Sequence, residues 1–158
     1  MSFYTLSGGG KYLFYYKELA EKLGIENFCE FHGNCEKAKV YNIISQSDFL
    51  VSASLTESAG ITVQEAMLLG KPVLVTKSGG ADSLVTPDTG IVIEKGSTDA
   101  LVNGILKMTN EVNSFNSELI KEYAHKNFDI DCVTLKYVDL YKQILSKYTK
   151  KNPNYLGE

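Results

Sequence analysis

Short apolar, β-branched runs alternate along this chain with apolar residues at helical spacing, and the alternation is regular enough to read as elements. Phe3 to Leu6 is an apolar, aromatic run that feeds the turn Ser7-Gly8-Gly9-Gly10-Lys11. From Tyr12 to Leu23 apolar residues at 13, 16, 19, 20 and 23 form a helical stripe, and Gly24 follows as a C-cap. Asn27 to His32 predicts a short strand, Gly33-Asn34-Cys35 a turn, and Glu36 to Ser47 a helix with Val40, Ile43 and Ile44 on one face. DFLVSAS (48–54) and PVLVT (72–76) predict strands apolar enough to be covered on two sides, as in a parallel sheet. Between them Ile61, Ala66, Met67 and Leu68 suit the buried face of a helix. Thr89 to Ile93 predicts the last strand, and Ser97-Thr98-Asp99 the cap of a helix marked by Leu101, Ile105, Leu106 and Met108. Two helices follow, 114–125 and 131–148, the second with a stripe of Val133, Tyr137, Leu140, Tyr141, Ile144 and Leu145 that reads as core. The whole predicts an α/β fold: a mostly parallel sheet with helices on both faces. It occupies residues 1–150, with a polar, fraying tail at 151–158.

Composition narrows the functions open to such a fold. A chain of 158 residues is about one domain and is 44% apolar, as a globular protein should be. Sixteen basic against nineteen acidic residues give a net charge of −3 without a long basic run, which argues against nucleic acid as a partner. Neither a membrane-length apolar stretch nor a secretory signal is visible, so a cytoplasmic location is expected. Cys29, Cys35 and Cys132 are odd in number and form no C-x-x-C pair, and His32 and His125 lie far apart. No disulfide framework and no metal site is therefore assigned.

The chemistry concentrates between Val51 and Gly80. Glu57 falls at the carboxyl end of one predicted strand and Glu65 about one turn into the helix after it. Ligands of open α/β sheets bind at those carboxyl ends. The N–H groups of Ala59, Gly60, Ile61 and Thr62 begin the helix without intrahelical partners and suit an anion, while Gly60 lets a ligand come close. A carboxylate such as Glu65 only accepts hydrogen bonds, so it suits two neighbouring hydroxyl donors, as in ribose. Together these would hold a sugar phosphate. Gly79 and Gly80 end the second strand, where main-chain atoms could approach the same ligand. Without their flanking residues the two glutamates would read instead as a solvated loop residue and a helix-surface residue of an ordinary doubly wound fold.

The run Glu57-Ser58-Ala59-Gly60-Ile61-Thr62-Val63-Gln64-Glu65, continued by Ala66-Met67-Leu68-Leu69-Gly70-Lys71-Pro72-Val73, resembles the Glu-x7-Glu motif and the "EAMxxGxPV" sequence of retaining glycosyltransferases with the GT-B fold, family 4. The resemblance extends from about Phe3 to Gly96 and loosely to Tyr148. It implies the donor-binding, C-terminal half of a GT-B fold, moving a sugar from a nucleotide diphosphate sugar to an acceptor hydroxyl without metal or cofactor. Glu65 would hold the ribose hydroxyls, Gly60, Ile61 and Thr62 would offer N–H groups to the donor, and Glu57 would face the sugar ring as the catalytic carboxylate. Gly8 and Gly10 match a glycine loop beside the donor phosphates. Phe31, His32 and Gly33, with Asn34 after them, match a turn that lines the base pocket, and Gly79 and Gly80 match a pair near the donor sugar.

Several departures accompany that likeness. Asp82-Ser83 replaces the usual Pro-Glu, and Ser58-Ala59 the usual Gly-Phe or Ser-Phe. The first strand and helix of the relatives' domain, with Gly-Arg and Glu-Lys-Gly motifs that neutralise the donor diphosphate, have no counterpart. Only Lys11 and Lys77 lie near the expected site. The absent strand belongs between the first and third strands of this chain, so either those close the gap or unpaired edges remain. The expected partners are a nucleotide sugar and an N-terminal acceptor domain, with room for peripheral membrane association of a full-length enzyme. The final helix of GT-B enzymes also reaches toward the other domain, so the resemblance implies that part of the apolar stripe at 133–145 is exposed in this chain alone. Alone, the chain is expected not to transfer sugar at a useful rate. A non-catalytic nucleotide-binding or interaction module, and another GT-B enzyme such as a nucleotide-sugar epimerase, are the competing readings.

Overall fold

Every strand is parallel to its neighbour, yet the strands divide into two sheets. The computed structural model describes residues 4–7 and 10–151, so Gly8, an expected ligand contact, lies outside the described residues together with Gly9 and the tail from 152. β1 (Tyr4–Ser7) pairs with β2 (Cys29–Gly33), and β3 (Leu50–Ser52), β4 (Val73–Thr76) and β5 (Gly90–Ile93) form a separate sheet in that order. Leu50, Val51 and Ser52 register with Val73, Leu74 and Val75, and the four residues of β4 register with the four of β5. β1 and β3 do not pair, so of the two arrangements expected at this point the one with unpaired edges is found.

The helices α1 (Leu13–Lys22), α2 (Lys37–Gln46), α3 (Ile61–Leu68), α4 (Thr98–Glu111), α5 (Ser117–Phe128) and α6 (Ile130–Lys151) alternate with the strands and then close the chain. Both faces of the three-stranded sheet are covered. On one side Val73 and Val75 pack with Val63, Ala66 and Met67 of α3, Ile44 of α2, and Ile120 and Ala124 of α5. On the other, Leu74 and Ile93 meet α4 so closely that a β-carbon on Gly104 would lie 3.1 and 3.0 Å from them. β4 is consequently buried along its whole length. α2 joins the two sheets, because Ile44 enters this core while Lys39, Asn42, Ile43 and Gln46 face Thr5 of β1 and Glu30 and His32 of β2.

Boundaries agree with the sequence reading to within about three residues, and the exceptions have local causes. Ser97 caps α4 by accepting from Ala100 N at 3.1 Å, as expected. α5 begins at Ser117 rather than 114, because Asn116 supplies the cap through bonds from Glu118 N and Leu119 N. Residues 26–28 form a 3₁₀ turn ahead of β2.

Burial departs further from the expected stripes. In α6 Tyr137, Leu140, Tyr141, Ile144 and Leu145 are exposed rather than core, as the resemblance implied for part of this stripe, and the helix packs chiefly on α5. In α1 only Ala20 of the predicted stripe is buried, and in α3 Ile61 is exposed while Val63 takes its place.

Candidate functional site

The carboxyl ends of β3 and β4 are tied together by main-chain bonds. Glu57 bridges Gly79 as an isolated parallel pair, Glu57 N donates to Ser78 O at 3.2 Å, and Gly80 N donates to Glu57 O at 2.7 Å. A β-carbon on Gly80 would collide with the carbonyl of Ser58. This glycine thus serves the closure of two loops on each other, before any ligand is considered. Thr76, buried at the end of β4, donates to Ser54 O at 2.5 Å and secures the same junction. The buried Ser78 hydroxyl has no hydrogen-bond partner among the described residues.

Glu57 then closes the loop before α3. Its Oε1 accepts from Ala59 N at 3.3 Å and Gly60 N at 3.2 Å. These bonds, Gly60 foremost and Ala59 next, hold its carboxyl below the ordinary glutamate range against a smaller opposing effect of burial. Two of the four N–H groups expected to await an anion are therefore already satisfied from within the chain, including that of Gly60. The N–H groups of Ile61 and Thr62 are left at the head of the helix. Gly60 itself is buried with φ 59°, and a β-carbon there would come within 3.0 Å of Ala81. The left-handed backbone and the packing on Ala81 explain the glycine without ligand approach.

The glycine pair is likewise engaged. Gly79 N donates to Asp82 Oδ1 at 2.7 Å, and Ser83 Oγ donates to Gly80 O at 2.7 Å. Asp82-Ser83, the pair that departs from the relatives, folds the loop back on itself and takes up two of the main-chain groups that sequence reasoning had offered to a ligand, the N–H of Gly79 and the carbonyl of Gly80.

Glu65 lies on the fifth residue of α3, with only 17% of its side chain exposed, and faces α2. Tyr41 donates its hydroxyl to Glu65 Oε1 at 3.2 Å, and Lys37 Nζ stands 3.7 Å from the same oxygen. Lys37 also lies over the Tyr41 ring, 5.3 Å from its centroid. Tyr41 foremost, and Glu65 after it, raise the Lys37 ammonium above its ordinary range. Sequence reasoning missed both α2 residues; their spacing of four, on one helical face, was the available signal.

Glu57, Gly60, Ile61, Thr62, Gly79 and Gly80 thus gather around the head of α3, with Glu65 one turn further along. Gly10 and Asn34 are exposed in the turns that follow β1 and β2, and Gly33 (φ 63°) ends β2. No hydrogen bond among the described residues links these three to the Glu57–Glu65 unit. The connection comes instead through Lys37, four residues beyond Gly33. His32 points elsewhere: its ring pairs with Glu30 at 3.3 Å and lines a 280 Å³ cavity with Thr5, Lys39 and Gln46, which includes neither glutamate of the motif. Lys77 pairs with Glu94, and Lys11 lies over the Tyr12 ring at 5.0 Å. The three cysteines are free. No helix among the described residues is long and apolar enough to cross a membrane.

Comparison with known proteins agrees with this geometry. The chain is 26% identical over 131 residues to the N-acetyl-alpha-D-glucosaminyl L-malate synthase of Bacillus anthracis, covering 81% of itself and 34% of that protein. It is 28% identical over 111 residues to a GDP-mannose-dependent monoacylated alpha-(1-6)-phosphatidylinositol monomannoside mannosyltransferase of Corynebacterium glutamicum, covering 66% of itself and 29% of the relative. It therefore spans about a third of the length of the curated relatives it matches. The crystal structure of Anabaena Alr3699/HepE in complex with UDP superposes with a TM-score of 0.76 at 26% identity, over 90% of this chain and 41% of that one. Residues 3–126 match the model of the family described as glycosyl transferases group 1, and with that match covering most of its length the chain belongs to this family.

Proposed function

We propose that this chain is the donor-binding portion of a retaining GT-B glycosyltransferase, in which residues 1–150 hold a nucleotide diphosphate sugar and an acceptor domain completes the enzyme in the cytoplasm. The observation that carries the reading is the α3 unit, with one motif glutamate closing the loop before its head at the carboxyl ends of β3 and β4 and the second, Glu65, one turn into the helix with its side chain mostly buried. Glu65 accepts from the ribose hydroxyls. The N–H groups of Ile61 and Thr62, with the positive end of the α3 dipole, receive negative charge from the donor. Glu57, anchored through Oε1, turns its other oxygen toward the sugar and supports the charge that develops there as the bond to the diphosphate breaks. No metal or cofactor enters this scheme. Its chemistry needs cations for the departing diphosphate, yet Lys77 is paired with Glu94 and Lys37 with Glu65, while Lys11 lies over the Tyr12 ring. Binding without turnover is accordingly the expected behaviour of the chain alone.

Those engaged lysines also favour the second reading, a nucleotide-binding module without catalysis of its own. Titration with UDP, GDP and ADP, followed by NMR or thermal shift, tests what the two readings share. At least one nucleotide should perturb the wild-type chain and leave Glu65→Ala much less affected; equal responses in both would remove the ribose assignment. Release of sugar from a nucleotide-sugar panel would show the isolated chain to be active and reject the expectation of binding alone.

A further inference from the structure

Glu65 is gripped by two side chains to which the motif assigns no role. Lys37 and Tyr41 stand one turn apart on α2, and both direct their donors to Oε1, at 3.7 and 3.2 Å; Oε2 accepts from nothing among the described residues. α2 is itself fixed, because Ile44 is buried in the core cluster that includes Ala66 and Met67 of α3. The ring of Tyr41 is further steadied by the Lys37 ammonium over its face.

We propose that Tyr41, assisted by Lys37, is the positioning residue of the diol-binding carboxylate: it anchors Oε1 so that Oε2 is presented to the hydroxyls of a ribonucleotide before the ligand arrives. The inference rests on the reading that Glu65 takes ribose hydroxyls. A glutamate without such an anchor must give up rotamer freedom on binding, and fixing it in advance reduces that cost. The hydroxyl bond to an ionised acceptor is the stronger contribution. The lysine contact is longer and 73% of its side chain is exposed, so its share is smaller.

The test uses the full 158-residue chain and isothermal titration with UDP, GDP and ADP, each beside its 2′,3′-dideoxy counterpart. The ratio of the two Kd values reads the hydroxyl preference, and the dideoxy Kd serves as an internal control on folding. In Tyr41→Phe the ratio should fall roughly threefold to tenfold with the dideoxy Kd unchanged, and in Lys37→Met it should fall by about twofold. A ratio that Glu65→Ala abolishes but Tyr41→Phe preserves would overturn the positioning role and leave the diol reading in place. Equal weakening of both ligand forms by Tyr41→Phe, as expected of a merely structural residue, overturns it too. So does tighter binding, because the hydroxyl would then occupy the ligand's place. A ratio that survives Glu65→Ala, or no binding of any of the three nucleotides, removes the diol reading and this inference together.

Discussion

β1 (YTLS) and β4 (VLVT) are both four-residue strands in parallel pairs, yet they have opposite fates. Val73, Leu74 and Val75 of β4 are 0% exposed, whereas Tyr4 and Leu6 of β1 are 50% and 40% exposed. The difference is one of neighbours. β4 has β3 and β5 on its two edges, α3 and α5 on one face and α4 on the other; β1 has a single strand beside it and no such pair of layers. Hydrophobic stabilisation scales with area removed from water. The leucines of the two strands therefore contribute unequally to stability. The same contrast separates α3, whose Val63, Ala66 and Met67 are buried, from α6, whose apolar stripe is in solvent.

Truncation of one leucine in each strand should show the contrast most directly. Leu74→Ala is expected to lose roughly 2–5 kcal/mol in urea unfolding, as for other fully buried leucines. Leu6→Ala should lose less than about 1 kcal/mol. Similar losses at the two sites would mean that β1 is covered in solution and would erase the distinction.

Gly80→Ala probes the junction that the buried half supports. The added carbon meets the Ser58 carbonyl, a main-chain atom with little freedom to move, so a cost of roughly 1–3 kcal/mol is expected. It should also break the bonds from Glu57 N to Ser78 O and from Gly80 N to Glu57 O, seen as faster hydrogen exchange at the amides of Glu57 and Gly80. Unaltered exchange would show that the two loops do not depend on each other.

The smallest effect concerns Glu57. Its carboxyl is held below the ordinary range, so its contribution is present above the unfolded-state pKa and is lost as pH falls through the lower folded value. The amide signals of Ala59 and Gly60 should therefore shift with a midpoint below that of an ordinary glutamate, about 4.3. In Glu57→Gln this acid transition should vanish. A midpoint at or above the ordinary value would show that the bonds from Ala59 N and Gly60 N to Glu57 do not form.

Much of the fold was legible because its signals are local. The order of strands and helices follows from apolar runs and spacing; Gly24 with φ 66° ends α1, and Ser97 caps α4 where the polar cluster predicted it. The Glu-x7-Glu run located the candidate site. Less legible was which backbone donors remain open there. Ala59, Gly60, Gly79 and Gly80 were each expected to meet a ligand, but their N–H groups go to Glu57 and Asp82. For three of these donors the acceptor is a carboxylate only two or three residues away, but the conformation of the loop decides whether that carboxylate turns back to meet them.

The sequence by itself determined the α/β alternation, the helix caps and the two acidic side chains eight positions apart, since each depends on residues within a turn or two of one another. Tertiary structure alone decided that β1 and β3 stand apart, that the α6 stripe faces water, and that Tyr41 and Lys37 of α2 close on Glu65 of α3. Those outcomes depend on contacts between segments distant along the chain, where the covering surface or the partner atom belongs to another element and leaves no periodicity in the segment it meets.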